Sequence, residues 1–187
     1  MKYKDFLLII APPDRVLNQI KLLKKACAKH IGMFESMHSK GHISIGLYGD
    51  EIQTPRQKVF IIERFLNFVE RDISQVEPIE LKIKGFGYFK HGKDSRTIYA
   101  AIELNEETMA WFDHLKTILK IKGKITPHIT IAKSITADLF AKLWPYFEKI
   151  DLNYSFIPEY ITILTREGGS KYTLHKKLQF AKRPGAA

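Results

Sequence analysis

Two short segments carry the residue types that proton transfer requires: His42-Ile43-Ser44-Ile45 and His128-Ile129-Thr130-Ile131. Histidine is the side chain whose ordinary pKa lies nearest neutrality, so one of a pair can act as base while the other acts as acid. In an extended strand, residues i and i+2 share a face. His42 then stands beside Ser44, and His128 beside Thr130, while the isoleucines turn into a core. Such a set suits a phosphodiester. A neutral imidazole takes the proton of the attacking oxygen, an imidazolium protonates the leaving oxygen, and hydroxyls and backbone amides hold the phosphoryl oxygens. No step of that scheme requires a metal. A single histidine on a strand is most often structural; the recurrence of one four-residue pattern singles these two out.

The other histidines, at 30, 38, 91, 114 and 175, form no H-x-x-x-H pair among themselves, and Cys27 is the only cysteine. No metal site, no cofactor and no disulfide are expected. A G-x-x-x-x-G-K-[ST] phosphate loop is also missing, which argues against ATP-driven ligation of the P-loop kind. Lys40 and Lys133 flank the two motifs and are candidates for a phosphate contact, with ordinary solvation as the alternative. Tyr88 and Phe89, in the Gly85–Phe89 segment after a strand end, and Tyr172 near the last turn are candidates for stacking on a base. Phe86 is expected in the core.

The elements that must position these residues follow from periodicity. A buried strand over Asp5–Ile10 ends at Pro12-Pro13, and Asp14 is expected to cap a helix with Val16, Ile20, Leu23 and Cys27 on one face. His42–Tyr48 alternates as a strand, Thr54–Arg71 has helical spacing, and Ile79–Gly87 alternates again. Strands are then expected over Thr97–Leu104 and His128–Lys133, with helices over Glu106–Leu119 and Ala137–Ile150, the last interrupted by Pro145. Strands over Tyr154–Thr165 and Lys171–Phe180 close the chain. The segment from His30 to Lys40 reads equally as a lid or a surface loop.

The order β-α-β-α-β thus occurs twice, and each histidine motif falls on the second strand of its half. We expect one α+β domain over 1–187, built of two pseudo-symmetric lobes from about 1–90 and 97–180 with a short C-terminal tail. Their sheets would face a central cleft with helices outside. With 187 residues, 45% of them hydrophobic, the chain is too short for two independent domains. Thirty Lys and Arg against twenty Asp and Glu give a net charge of +10, which favours a polyanionic partner. Lys21, Lys24, Lys25 and Lys29 are nonetheless expected on a solvated helix face. No apolar run approaches the length of a membrane span or signal segment, so a cytoplasmic monomer without a membrane partner is expected.

The paired motifs resemble those of the 2H phosphoesterase superfamily, whose members carry two H-x-[ST]-x segments, and nearly the whole chain takes part in the resemblance. Thr126-Pro-His-Ile-Thr-Ile-Ala-Lys133 has the family's usual Pro before His; the first copy has Gly41 there, and Ser44 in place of Thr. The likeness is to the bacterial branch of 2'-5' RNA ligase-like and cyclic phosphodiesterase proteins. It implies a bilobal α+β fold and metal-independent hydrolysis of 2',3'-cyclic or 2'-5'-linked phosphodiesters in an RNA or nucleotide substrate. His42 and His128 would be the catalytic pair, with Ser44 and Thr130 binding phosphate. Reversible 2'-5' ligation of RNA ends would use the same groups. A noncatalytic RNA- or nucleotide-binding module is the alternative from another class.

Overall fold

A computed structural model describes residues 4–49 and 55–182, the side chains of 55–60 excepted. Its strands are β1 (Lys4–Ile10), β2 (Ile43–Tyr48), β3 (Leu81–His91), β4 (Ser95–Ile102), β5 (His128–Thr136), β6 (Asn153–Phe156), β7 (Tyr160–Glu167) and β8 (Thr173–Gln179). Its helices are α1 (Asp14–Ile31), α2 (Pro55–Ile73), α3 (Glu106–Ile118) and α4 (Ala137–Phe147). The α+β class and the element order agree with the sequence. The expected helix start at Thr54 lies outside the described residues. Among those residues no helix is long and apolar enough to cross a membrane.

All eight strands join one sheet in the order β6-β3-β4-β5-β2-β1-β7-β8, and every pairing is antiparallel. Where two facing sheets are expected, there is one, crossed by a narrow seam between β2 and β5 at Ile43 opposite Ile129. Outer strands are exchanged across this seam. β3, from the first half of the sequence, pairs with β4 and β6, whereas β7 and β8, from the second half, complete the side that holds β1 and β2.

Local chemistry explains most boundaries. Pro13, not Asp14, is the N-cap of α1; Asp14 lies in the first turn, where its charge complements the exposed backbone amides. Asn105 caps α3 by accepting from the Thr108 amide at 2.8 Å, and Thr136 caps α4 through the Leu139 amide at 3.3 Å. The single strand expected over 154–165 is two, because Ile157-Pro158 breaks the run and Pro158 has no amide to give to a ladder. β3 also extends beyond Gly87 to His91, so the Gly85–Phe89 aromatics lie within a strand rather than after one.

The core gathers the inward residues of the strands, such as Phe6, Leu8, Ile10, Ile43, Ile129 and Ile131, with Val16, Ile20, Leu23 and Cys27 of α1. Lys24 departs from its expected place. It lies on that same buried stripe, four residues after Ile20 and three before Cys27, and is only 2% exposed.

Candidate active site at the β2–β5 seam

The Ile43–Ile129 register puts the two motifs side by side and antiparallel. Carried one residue each way, it sets His42 across from Thr130, and His128 across from Ser44. The two histidines are then diagonal neighbours on one face, with Cα atoms about 7–8 Å apart. Each imidazole is anchored in the same way. His42 Nδ1–H donates to the Lys40 carbonyl at 2.9 Å, and His128 Nδ1–H to the Thr126 carbonyl at 2.7 Å. A carbonyl only accepts, so the proton of each neutral ring resides on Nδ1, and Nε2 is the nitrogen free to exchange protons.

Both rings are half-buried, and burial pulls both pKa values below the ordinary 6.5 by disfavouring the charged form. The carbonyl bonds oppose this shift. Lys24 and His128 depress His42 further by charge.

Beside His128 stands an aromatic wall. Phe89 meets the imidazole edge-on at 4.9 Å between centroids, and Tyr99 lies 5.1 Å from it. These two rings stack on each other at 4.4 Å. Tyr99 pairs with Thr130 across β4 and β5, so the wall shares the histidine face. Gly87 makes room for it: a Cβ there would come within 2.5 Å of the Tyr99 ring.

A family model described as the 2'-5' RNA ligase superfamily matches residues 12–170. The chain belongs to that superfamily. Solved structures with the same fold include TT0787 of Thermus thermophilus, at 16% identity and TM-score 0.58, covering 94% of this chain and 97% of that one. E. coli LigT complexed with 3'-AMP is 12% identical at TM-score 0.63, covering 96% of this chain and 99% of LigT. LigT complexed with ATP is 15% identical at TM-score 0.56, covering 97% and 100%. At these identities the likeness carries the fold alone. No curated protein matches the chain in sequence.

Within this superfamily fold the candidate residues separate. Ser44 is exposed and Thr130 half-buried, both on the histidine face. Phe89 lies against His128, but Tyr88, one residue earlier, points to the opposite face. It packs on Phe140 and Trp144 of α4 at 4.7 and 4.9 Å, away from the two histidines. Phe86 packs on Phe147, as expected of a core residue. Lys133 Nζ is engaged by Glu35 at 2.7 Å. Lys40 gives its carbonyl to His42, while the residue also lines a cavity of about 360 Å³ between α1 and the 37–41 turn.

Tyr172 lies farther off. The Arg166 guanidinium covers its ring at 4.6 Å and pairs with Asp5 at 2.7 Å. Asp5, Leu7 and Ile9 alternate onto one face of β1; Arg166 is opposite Asp5, and Ser44 opposite Ile9. Tyr172 and Arg166 therefore belong to the histidine face, four residues along the strand from Ser44, or about 13 Å.

The 30–40 segment is fastened at both sides. Ser36 is 5% exposed, donates to the Ile131 carbonyl at 2.9 Å and accepts from the Lys133 amide at 3.0 Å. Tyr99, Ser36 and Lys24 are absent from the sequence-based set. Only Tyr99 left a signal there, by alternating with Thr97 and Ala101 against Ile98, Ala100 and Ile102.

Proposed function

We propose that this chain is a metal-independent phosphoesterase that hydrolyses a 2',3'-cyclic or 2'-5'-linked phosphodiester in an RNA-like or nucleotide substrate, with His42 and His128 as its acid–base pair. One observation carries this: two imidazoles, each held through Nδ1 by the carbonyl two residues earlier, are diagonal neighbours at the seam. The superfamily match and the nucleotides held by LigT, 3'-AMP and ATP, support a ligand of this class.

In the proposed reaction one neutral Nε2 takes a proton from water as its oxygen attacks phosphorus. The bond from phosphorus to a ribose oxygen breaks, and the other imidazolium protonates that oxygen, leaving a phosphomonoester. Ser44 and Thr130 hydroxyls donate to the phosphoryl oxygens, and the Phe89–Tyr99 wall receives the base. The chain acts as one domain of two pseudo-repeats whose outer strands are exchanged. Ligation of 2'-5' ends would use the same pair with a 5'-hydroxyl in place of water: its oxygen attacks the phosphorus of a 2',3'-cyclic phosphate, and the 3'-oxygen leaves with the proton of the imidazolium.

The test is turnover of the four nucleoside 2',3'-cyclic phosphates and a 2'-5' dinucleotide in EDTA, for wild type, His42→Ala and His128→Ala. Turnover that survives EDTA and is lost in either variant is expected. Full activity in both variants would overturn the proposal, and binding of these nucleotides without turnover would favour the noncatalytic module.

A further inference from the structure

Lys24 is the one buried lysine among the described residues. Its Nζ donates to the Ser36 carbonyl at 2.8 Å and to the Ser39 carbonyl and Oγ at 2.9 Å each. Three donors meet three acceptors, and none of the acceptors is a carboxylate. The charge is hydrogen-bonded but not neutralised, and burial pulls its pKa down from 10.5 to about 8. An apolar side chain of similar length would fill the space without that cost, so the ammonium supplies something besides packing.

It supplies a bracket. Lys24 ties α1 to the 36–39 turn, and Ser36 ties that turn to β5 on both sides of Ala132. The turn leads directly into Lys40, whose carbonyl accepts the hydrogen bond from His42 Nδ1–H. The strand carrying His128 and Thr130 and the loop carrying His42 are thus clamped to one another through Ser36, with Lys24 behind. The bracket is one-sided in charge. Repulsion between the two imidazoles is mutual, but Lys24, bonded to the turn that leads into His42, also acts against a proton on His42, whereas burial accounts for the depression of His128. The remaining titratable groups close by are Cys27 on the same helix and, along the neighbouring cavity, Asp14, Lys21, Lys25, His38 and Lys40.

We infer that Lys24 is a positioning residue that fixes His42 as the general base and leaves His128 as the general acid. This rests on the two-histidine proposal. His42 Nε2 then takes the proton of the attacking water, and the His128 imidazolium protonates the departing ribose oxygen.

The test joins NMR titration of the wild-type imidazoles with pH profiles of kcat/KM for Lys24→Met, Lys24→Arg, Ser36→Ala and the surface control Lys21→Ala. In wild type, His42 should titrate at lower pH than His128, a result independent of any variant's folding. Lys24→Met should move the acid limb, and the His42 titration with it, to higher pH by about half a unit or more, because a like charge is removed. Lys24→Arg should keep the limb near its wild-type position. Ser36→Ala should lower kcat with the limb unmoved, and Lys21→Ala should change neither. His42 titrating at or above His128, or a Lys24→Met enzyme whose limb stays in place, would overturn the inference while leaving the histidine pair intact. Retained turnover in His42→Ala and His128→Ala would remove the underlying proposal instead.

Discussion

Ile43 stands directly opposite Ile129, and among the described residues this is the one registered pair joining β2 to β5. Both side chains are fully buried. The geometry between the histidines, each one residue before its isoleucine, depends on this contact more than on any other.

Trimming the pair should therefore cost more activity than stability. Ile129→Val should destabilise by about 1 kcal/mol and Ile129→Ala by about 3 kcal/mol. In the proposed reaction kcat should fall at least tenfold in Ile129→Ala at a temperature where the protein remains folded, because a small misplacement of the pair slows the chemical step. Denaturant melts run beside single-turnover rates measure both. Loss of stability with kcat unchanged would mean that the seam does not set the histidine geometry.

The pH profile has a determined sign. The base must be neutral and the acid protonated, so activity lies between two pKa values, and burial holds both below the ordinary 6.5. The bell in kcat/KM should be centred on the acid side of 6.5 and fall as pH rises through neutrality. A profile flat from about pH 5 to 8 would count against two titrating histidines.

Adjacent residues on β3 should behave oppositely. Phe89→Ala opens the wall beside His128 and should raise KM several-fold for purine substrates, since stacking on a base is worth about 1–3 kcal/mol. Tyr88→Ala removes a ring packed on α4 and should lower the melting temperature while leaving KM in place. Equal effects on KM would show that the two faces of β3 are not functionally distinct.

Gly87→Ala tests the wall from beneath. Its methyl group meets the Tyr99 ring at 2.5 Å, so the ring must shift, with a cost of about 1–3 kcal/mol and a raised KM. The double variant Gly87→Ala, Tyr99→Ala should recover part of the lost stability. Additive losses would show that the two groups do not clash.

Tyr172 provides a measure of substrate length. Set about 13 Å from Ser44 along the strands, it should matter for a trinucleotide ending in a cyclic phosphate and not for a mononucleotide. A KM that rises equally for both in Tyr172→Ala would place the mononucleotide base at Tyr172 instead.

The period-two alternation around His42 and His128 exposed the chemistry because it is a local property, and most element positions were legible for the same reason. The strand exchange was not, since pairing β3 with β6 and β1 with β7 depends on contacts remote in sequence. Lys24 was hidden among like residues. In Lys21, Lys24, Lys25 and Lys29 only the helical phase relative to Ile20 and Cys27 separates the buried one. Tyr88 and Phe89 are adjacent, so one of them had to turn away from the site, and the partners that decide which, His128 and α4, are distant in the chain. Ile157-Pro158 was a readable break that the longer apolar run concealed.

The exchange of outer strands bears on how the protein is made. β1 emerges from the ribosome well before its neighbour β7 and the edge strand β8, which come from residues 160–179. The side of the sheet that carries His42 cannot close until the ribosome has passed them. A cut between 91 and 95 would likewise leave each fragment with strands that need the other's edges. Such remote pairing makes for slow folding and for exposed strand edges in the meantime, so this domain should mature only after residues 160–179 have emerged.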